Sequence, residues 1–236
     1  MNTDDLEESQ TERKYREIVG SLVYAMTCTR PDLSWVVTKL SQHLSCPTKA
    51  DWITVNHVLR YIKGSIHKKL TFTKSRSNMK LIGLSDSDWA SCKEDRRSTT
   101  GYVFYLNSDG PAISWKSRKQ PTVALSSCEA EYMALTATTQ EAIFLSNLMK
   151  DFGIKLPKTI PLYGDNQGAI ALVKNPVQHN RSKHIDIKFH FIREKYMQKI
   201  IEINYIPTNN NIADLFTKPI TKSKLELFEK VLFGIK

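Results

Sequence analysis

Near residue 67 the hydrophobic pattern changes its period, and that change restricts the architecture the chain can adopt. Before it, apolar residues recur every three or four positions. Tyr15, Ile18, Val19, Leu22 and Met26 share one stripe. Leu33, Val36, Leu40 and Leu44 form a second within "TRPDLSWVVTKLSQHLS", and Trp52, Val55, Leu59 and Ile62 a third within "TKADWITVNHVLRYIKG". Three amphipathic helices are expected, with Pro31 in the first turn of the second and Gly64 closing the third. Residues 1–13 lack apolar periodicity and are expected to be a disordered lead-in. Residues 14–66 carry no carboxylate cluster, so they read as a packing or clamp module.

From residue 67 onward short β-rich segments dominate: "KLTFT", "KLIGLS", "GYVFYLN" and "AISWKS", with a turn at Asn107-Ser108-Asp109-Gly110. A long helix is expected from Ser127 to Lys150. A strand "TIPLYGD", a helix "NQGAIALVK", a helix "HIDIKFHFIREKYM" and a strand "IIEINYI" follow, then helical stretches at "NNNIADLFTKP" and "KSKLELFEKVLF". Hairpins followed by strand–helix alternation imply an α/β fold, a mixed sheet covered by helices.

The chain has 34 Lys+Arg against 24 Asp+Glu, a net +10, which favours a polyanionic partner: nucleic acid or an anionic membrane surface. No apolar run reaches the roughly 20 residues of a membrane span. The polar, acidic start does not resemble a secretory signal. Cys28, Cys46, Cys92 and Cys128 are scattered, without metal-ligand spacing, and fit a reducing compartment. A cytoplasmic or nuclear location is expected.

Burying a carboxylate is costly unless it is paired or holds a cation, so acids at element ends are the informative residues. Asp86 ends the "LIGLS" strand; Asp88 shares its parity, and alternation does not choose between them. In "ALSSCEAEYMAL", Ser126 and Glu129 read as a capping box. Glu131 lies about 200° around the helix from Glu129 and is the free carboxylate. Asp165 stands between a strand and a helix, where open α/β sheets place ligands, but also where an N-cap belongs. Asp214 falls in the first turn of a helix that Asn211 could cap. Together Asp86, Glu131, Asp165 and Asp214 would make a hard oxygen-ligand site suited to Mg²⁺ or Mn²⁺. Two such ions would grip both the attacking and the leaving oxygen of a phosphodiester.

The segments "GLSDSDWASCKEDRRSTTGYVFYL", "ISWKSRKQPTVALSSCEAEYMAL", "YGDNQGAIAL", "RSKHIDIKFHFIRE" and "NIADLFTKPI" resemble, in order, the ribonuclease H domain of copia-type retrotransposon Pol polyproteins. The block from Tyr15 to Gly64 resembles the reverse transcriptase connection segment that precedes it. The resemblance spans residues 14 to 235. It implies a helical thumb- or connection-like part over 14–66 and a ribonuclease H-like five-stranded mixed sheet with flanking helices over 67–236. It further implies two Mg²⁺ ions held by Asp86, Glu131, Asp165 and Asp214, all intact, with Asp86 between the ions. Gly164 and Cys128 depart from residues common in the family, but neither is a ligand.

The activity so implied is endonucleolytic hydrolysis of the RNA strand of an RNA–DNA hybrid, leaving 5′-phosphate and 3′-hydroxyl ends. Arg96 and Arg97 are expected on phosphate, and Lys116, Arg118 and Lys119 form a strip that contacts the backbone or is a solvated edge. The loop before Asp214, "PTNNN", lacks the histidine of many cellular relatives; His184 could serve instead, or face solvent or phosphate at a helix start. Trp89 and Trp115 read as groove-facing or core residues. Polymerase, protease and integrase motifs are missing, and the only Asp-Asp pair is Asp4-Asp5. The chain thus looks like the C-terminal piece of a polyprotein whose reverse transcriptase lies upstream, with a virus-like particle or the nucleus as its setting. The competing readings are a non-catalytic nucleic-acid-binding remnant and a different nuclease or transposase of the same fold.

Overall fold

The computed structural model describes residues 3–74, 79–107, 110–175 and 183–235, without the side chains of 3–9 and 183–189. The chain divides into two compact units, residues 1–70 and 71–236.

In the first unit α1 (Thr3–Cys28), α2 (Ser34–Leu40) and α3 (Lys49–Gly64) enclose a small core. Tyr15, Val19, Leu22, Leu33, Val37, Leu40, Val55 and Val58 are its buried members. Tyr15 stacks edge-on against Trp52 and donates its hydroxyl to the Leu40 carbonyl at 3.0 Å. Thr48 and Asp51 form a reciprocal capping box at the start of α3. Arg30, buried after α1, makes a two-pronged ion pair with Asp32, and the Tyr61 hydroxyl donates to the same carboxylate at 2.7 Å.

Three sequence expectations shift here. The expected lead-in is helical from Thr3 and forms the first turns of α1, with the Glu12–Arg16 and Arg13–Glu17 ion pairs, one turn apart, joining its end to the apolar stripe that follows. The second helix is only Ser34–Leu40, flanked by 3-10 turns Pro31–Leu33 and Ser41–His43, with Pro31 in the first turn as expected. On α3 Val55 and Val58 are buried, whereas Leu59, expected in the stripe, is 40% exposed.

The second unit has the expected α/β architecture, a five-stranded mixed sheet with flanking helices. Its strands are β1 (Ile82–Asp88), β2 (Thr99–Tyr105), β3 (Ala112–Lys119), β4 (Ile160–Gly164) and β5 (Ile201–Tyr205), in spatial order β3-β2-β1-β4-β5. The first three form an antiparallel meander, in which Asp86 sits opposite Gly101. β4 lies parallel to β1, and β5 parallel to β4. Helices α4 (Ser127–Asp151), α5 (Gln167–Lys174), α6 (Lys183–Met197) and α7 (Lys222–Phe233) flank it, with a 3-10 turn at Ile212–Phe216.

The core gathers Leu81, Phe104, Tyr132, Leu135, Leu162, Ile192, Ile201 and Ile203. β2 is buried along its whole length, which explains why "GYVFY" is continuously apolar rather than alternating. "KLTFT" is not a strand: Thr71 N donates to Phe233 O at the end of α7, and Phe72 is 67% exposed. The turn expected at Asn107–Gly110 lies partly outside the described residues. No described helix is long and apolar enough to cross a membrane.

Candidate metal centre

Parallel β1 and β4 end at the same edge of the sheet, so their carboxyl ends bring Asp86 and Asp165 together. The chain then returns through β5 into the Ile212–Phe216 turn, which delivers Asp214. Oxygens of Asp86, Asp165 and Asp214 lie within 4.8 Å of one another. Asp86 and Asp214 are 2% and 0% exposed, whereas Asp165 is half-buried.

Local chemistry assigns each acid its place. Asp86 is buried, while Asp88, two residues on, is half-buried at the strand end. Asn166, not Asp165, caps α5 by accepting from Ala169 N at 2.9 Å. Asp165 instead accepts the Thr208 hydroxyl at 2.7 Å. Asn211 caps the Asp214 turn through Ala213 N, and its amide donates to the Ser85 carbonyl at 2.9 Å, stitching that turn to β1. Gly101 permits the close approach: a Cβ there would stand 2.7 Å from Phe216 Cβ and from Thr217 Cγ2.

On α4, Ser126 accepts from Glu129 N, and Glu129 accepts from Leu125 N, one residue before the position a capping box uses. Glu131 is 7% exposed and accepts Ser87 N at 3.2 Å. It is outside the trio of aspartates that meet, but its charge couples to Asp86 and Asp165. Buried Gln120 braces this corner, donating to Ala130 O and Thr100 Oγ1, both at 2.9 Å.

Burial pushes the Asp86 pKa up to about 7; Lys218 opposes the rise and Asp214 adds to it. Burial, then Asp86 and Asp165, hold Glu131 well above the usual carboxylate range. An acid cluster this crowded favours a cation or a proton.

Three site neighbours carried no signal that the sequence reading used. Lys218 Nζ lies 2.8 Å from Asp214 Oδ1 and 4.0 Å from Asp86 Oδ2. Lys224 bonds the other Asp214 oxygen, and Thr217 donates to Asp86. The spacing of Asp214 and Lys218, one turn apart, was the available clue.

The expected basic residues lie elsewhere on the sheet and its loops. Arg96 and Arg97 are exposed in the β1–β2 loop, Arg96 with φ of 57°. Arg97 and Lys119 pair with Asp95 at 3.5 and 2.8 Å, and the Lys119 bond leads the causes that hold that carboxyl well below its ordinary range. Lys116 and Arg118 are exposed on β3 and line a groove of about 420 Å³ with Tyr102, Gln140 and Phe144. The side chain of His184 lies outside the described residues. Trp89 is 48% exposed, its ring N–H donating to Ala124 O, and Trp115 is half-buried; neither is a core residue.

No family model matches the chain. It is 41% identical over 218 residues to the Retrovirus-related Pol polyprotein from transposon TNT 1-94 of Nicotiana tabacum, covering 92% of this chain and 16% of the relative. It is 39% identical over 223 residues to the corresponding polyprotein from transposon RE2 of Arabidopsis thaliana, covering 94% of this chain and 15% of the relative. The chain therefore spans about a sixth of the length of these relatives. Among solved structures, LC11-RNase H1 in complex with an RNA/DNA hybrid matches 58% of this chain and 94% of its own, with 17% identity and a TM-score of 0.42.

Proposed function

The chain belongs to the retrovirus-related Pol polyproteins of copia-type transposons, and on that premise we propose that residues 67–236 act as a ribonuclease H on RNA–DNA hybrids during reverse transcription. Residues 14–66 are read as the connection segment to a reverse transcriptase upstream in the parent polyprotein, which works inside a virus-like particle or the nucleus. The observation that carries the reading is the meeting of Asp86, Asp165 and Asp214 within 4.8 Å at the carboxyl ends of two parallel strands.

The donor set fits hard divalent cations, because every acceptor is a carboxylate oxygen and two of the three acids are buried. Asp86, Asp165 and Asp214, with Glu131 beside them, would hold two Mg²⁺ ions, or Mn²⁺ in their place. When bound, such ions supply an activated water and stabilise a departing 3′ oxygen. The protein's own task is orientation. Thr217 and Ser85, through Asn211, fix Asp86 and the Asp214 turn; Ser87 N fixes Glu131; Thr208 holds Asp165 at the open side of the cluster. Exposed Arg96, Lys116 and Arg118 would take phosphates of the duplex, positioning it without reading sequence.

Incubating the pure chain with labelled hybrid and Mg²⁺, alongside Asp165→Asn, tests the proposal. Metal-dependent cleavage of the RNA strand by the wild type alone is expected. Retention of hybrid without cleavage would instead support a non-catalytic binding module, a reading that draws on the two lysines already bonded to Asp214. Preference for duplex DNA would point to another nuclease of this fold.

A further inference from the structure

We propose that Lys218 is the resident counter-cation of the carboxylate cluster, holding Asp86 and Asp214 while no metal is bound and giving way when a divalent ion enters. The inference rests on the metal-site reading above, and its test separates the two.

Asp214 is fully buried, so its charge needs a permanent partner. Lys218 supplies one at 2.8 Å and reaches toward Asp86 at 4.0 Å, thereby spanning two of the three acids that meet. A divalent ion on the same two carboxylates would stand a few Å from this ammonium, and like charges that close repel strongly away from bulk water. One of them must leave. The lysine side chain is 36% exposed and flexible, so it has an outward path. Lys224 is less free to move: it is 22% exposed and also bonded to the Thr208 carbonyl at 3.2 Å. It remains as the fixed partner of Asp214.

The test compares the full chain with Lys218→Gln, Lys218→Arg and Lys222→Gln, the last altering a lysine that is 90% exposed and paired with Glu226. Mn²⁺ affinity is measured by titration calorimetry, and thermal unfolding is followed in chelator and in saturating Mn²⁺. Lys218→Gln is expected to bind Mn²⁺ about tenfold tighter, to melt earlier than wild type in chelator, and to match it in Mn²⁺. Lys218→Arg and Lys222→Gln are expected to bind no tighter than wild type. Unchanged affinity in Lys218→Gln, or equal destabilisation with and without Mn²⁺, would overturn the proposal and leave a merely structural lysine. Absence of Mn²⁺ binding by every form would overturn the metal-site reading as well.

Discussion

The Asn211 side chain donates to the carbonyl of Ser85 across 126 positions of sequence, and both groups are buried. Through this one bond the turn carrying Asp214 takes its position from the strand carrying Asp86. Asn211→Ala removes both the tie to the Ser85 carbonyl and the cap on Ala213 N. A loss of about 1–3 kcal/mol in denaturant unfolding is expected, with a fall in hybrid cleavage larger than Ala at an exposed position produces.

Gly101 faces the same turn from β2. Its replacement by Ala would force a methyl against Phe216, Thr217 and the Ala213 carbonyl, at 2.7, 2.7 and 3.0 Å. The turn must shift, taking Asp214 with it. A stability loss of about 1–3 kcal/mol is expected, together with weaker Mn²⁺ binding by titration calorimetry.

Asp86 makes the metal-free protein sensitive to pH. Its carboxyl, at 3.8 ordinarily and about 7 when folded, binds its proton more tightly in the folded chain. That contribution to stability is therefore complete below about pH 3.8 and is lost as pH rises toward 7. Glu131 shifts in the same direction. Urea unfolding in chelator should show stability falling across this window, Asp86 alone contributing up to about 1.4 kcal/mol per pH unit. Asp86→Asn should flatten the fall, and Mn²⁺ should offset it in the wild type.

Arg118 and Lys116 point from β3 into solvent and are proposed phosphate contacts. Arg118→Ala should weaken hybrid binding at low salt and lower the slope of log affinity against log salt by about 1. The same change in Asp95, which holds Lys119 and Arg97, should tighten binding by releasing both cations. Filter binding across a salt series reads either effect.

The change from helices to strands was legible because burial imposes its period residue by residue, and Glu131, singled out over Glu129 by helix geometry and capping, is buried beside β1, where it accepts Ser87 N. "KLTFT" misled because its β-rich composition describes a half-buried surface, and here the segment lies against the end of α7 instead of joining the sheet. The lead-in was read as irregular because it has no apolar stripe of its own, yet it forms the first turns of α1, whose stripe begins at Tyr15. Thr217, Thr208 and Lys224 were invisible for another reason: they reach their carboxylates through a turn and a helix start whose three-dimensional placement no local pattern specifies. Lys218, by contrast, is one helical turn from Asp214 and could have been found from spacing.

The order of the strands bears on how the protein comes into being. Asp86 belongs to a meander of neighbouring residues, but its partners arrive late, Asp165 on the parallel fourth strand and Asp214 beyond the fifth. Pairings so distant along the chain close slowly, since loop entropy is lost before any contact repays it. A ribosome must therefore finish almost the whole domain before the acids can meet, and a nascent chain halted before β5 has Asp86 and Asp165 but not Asp214.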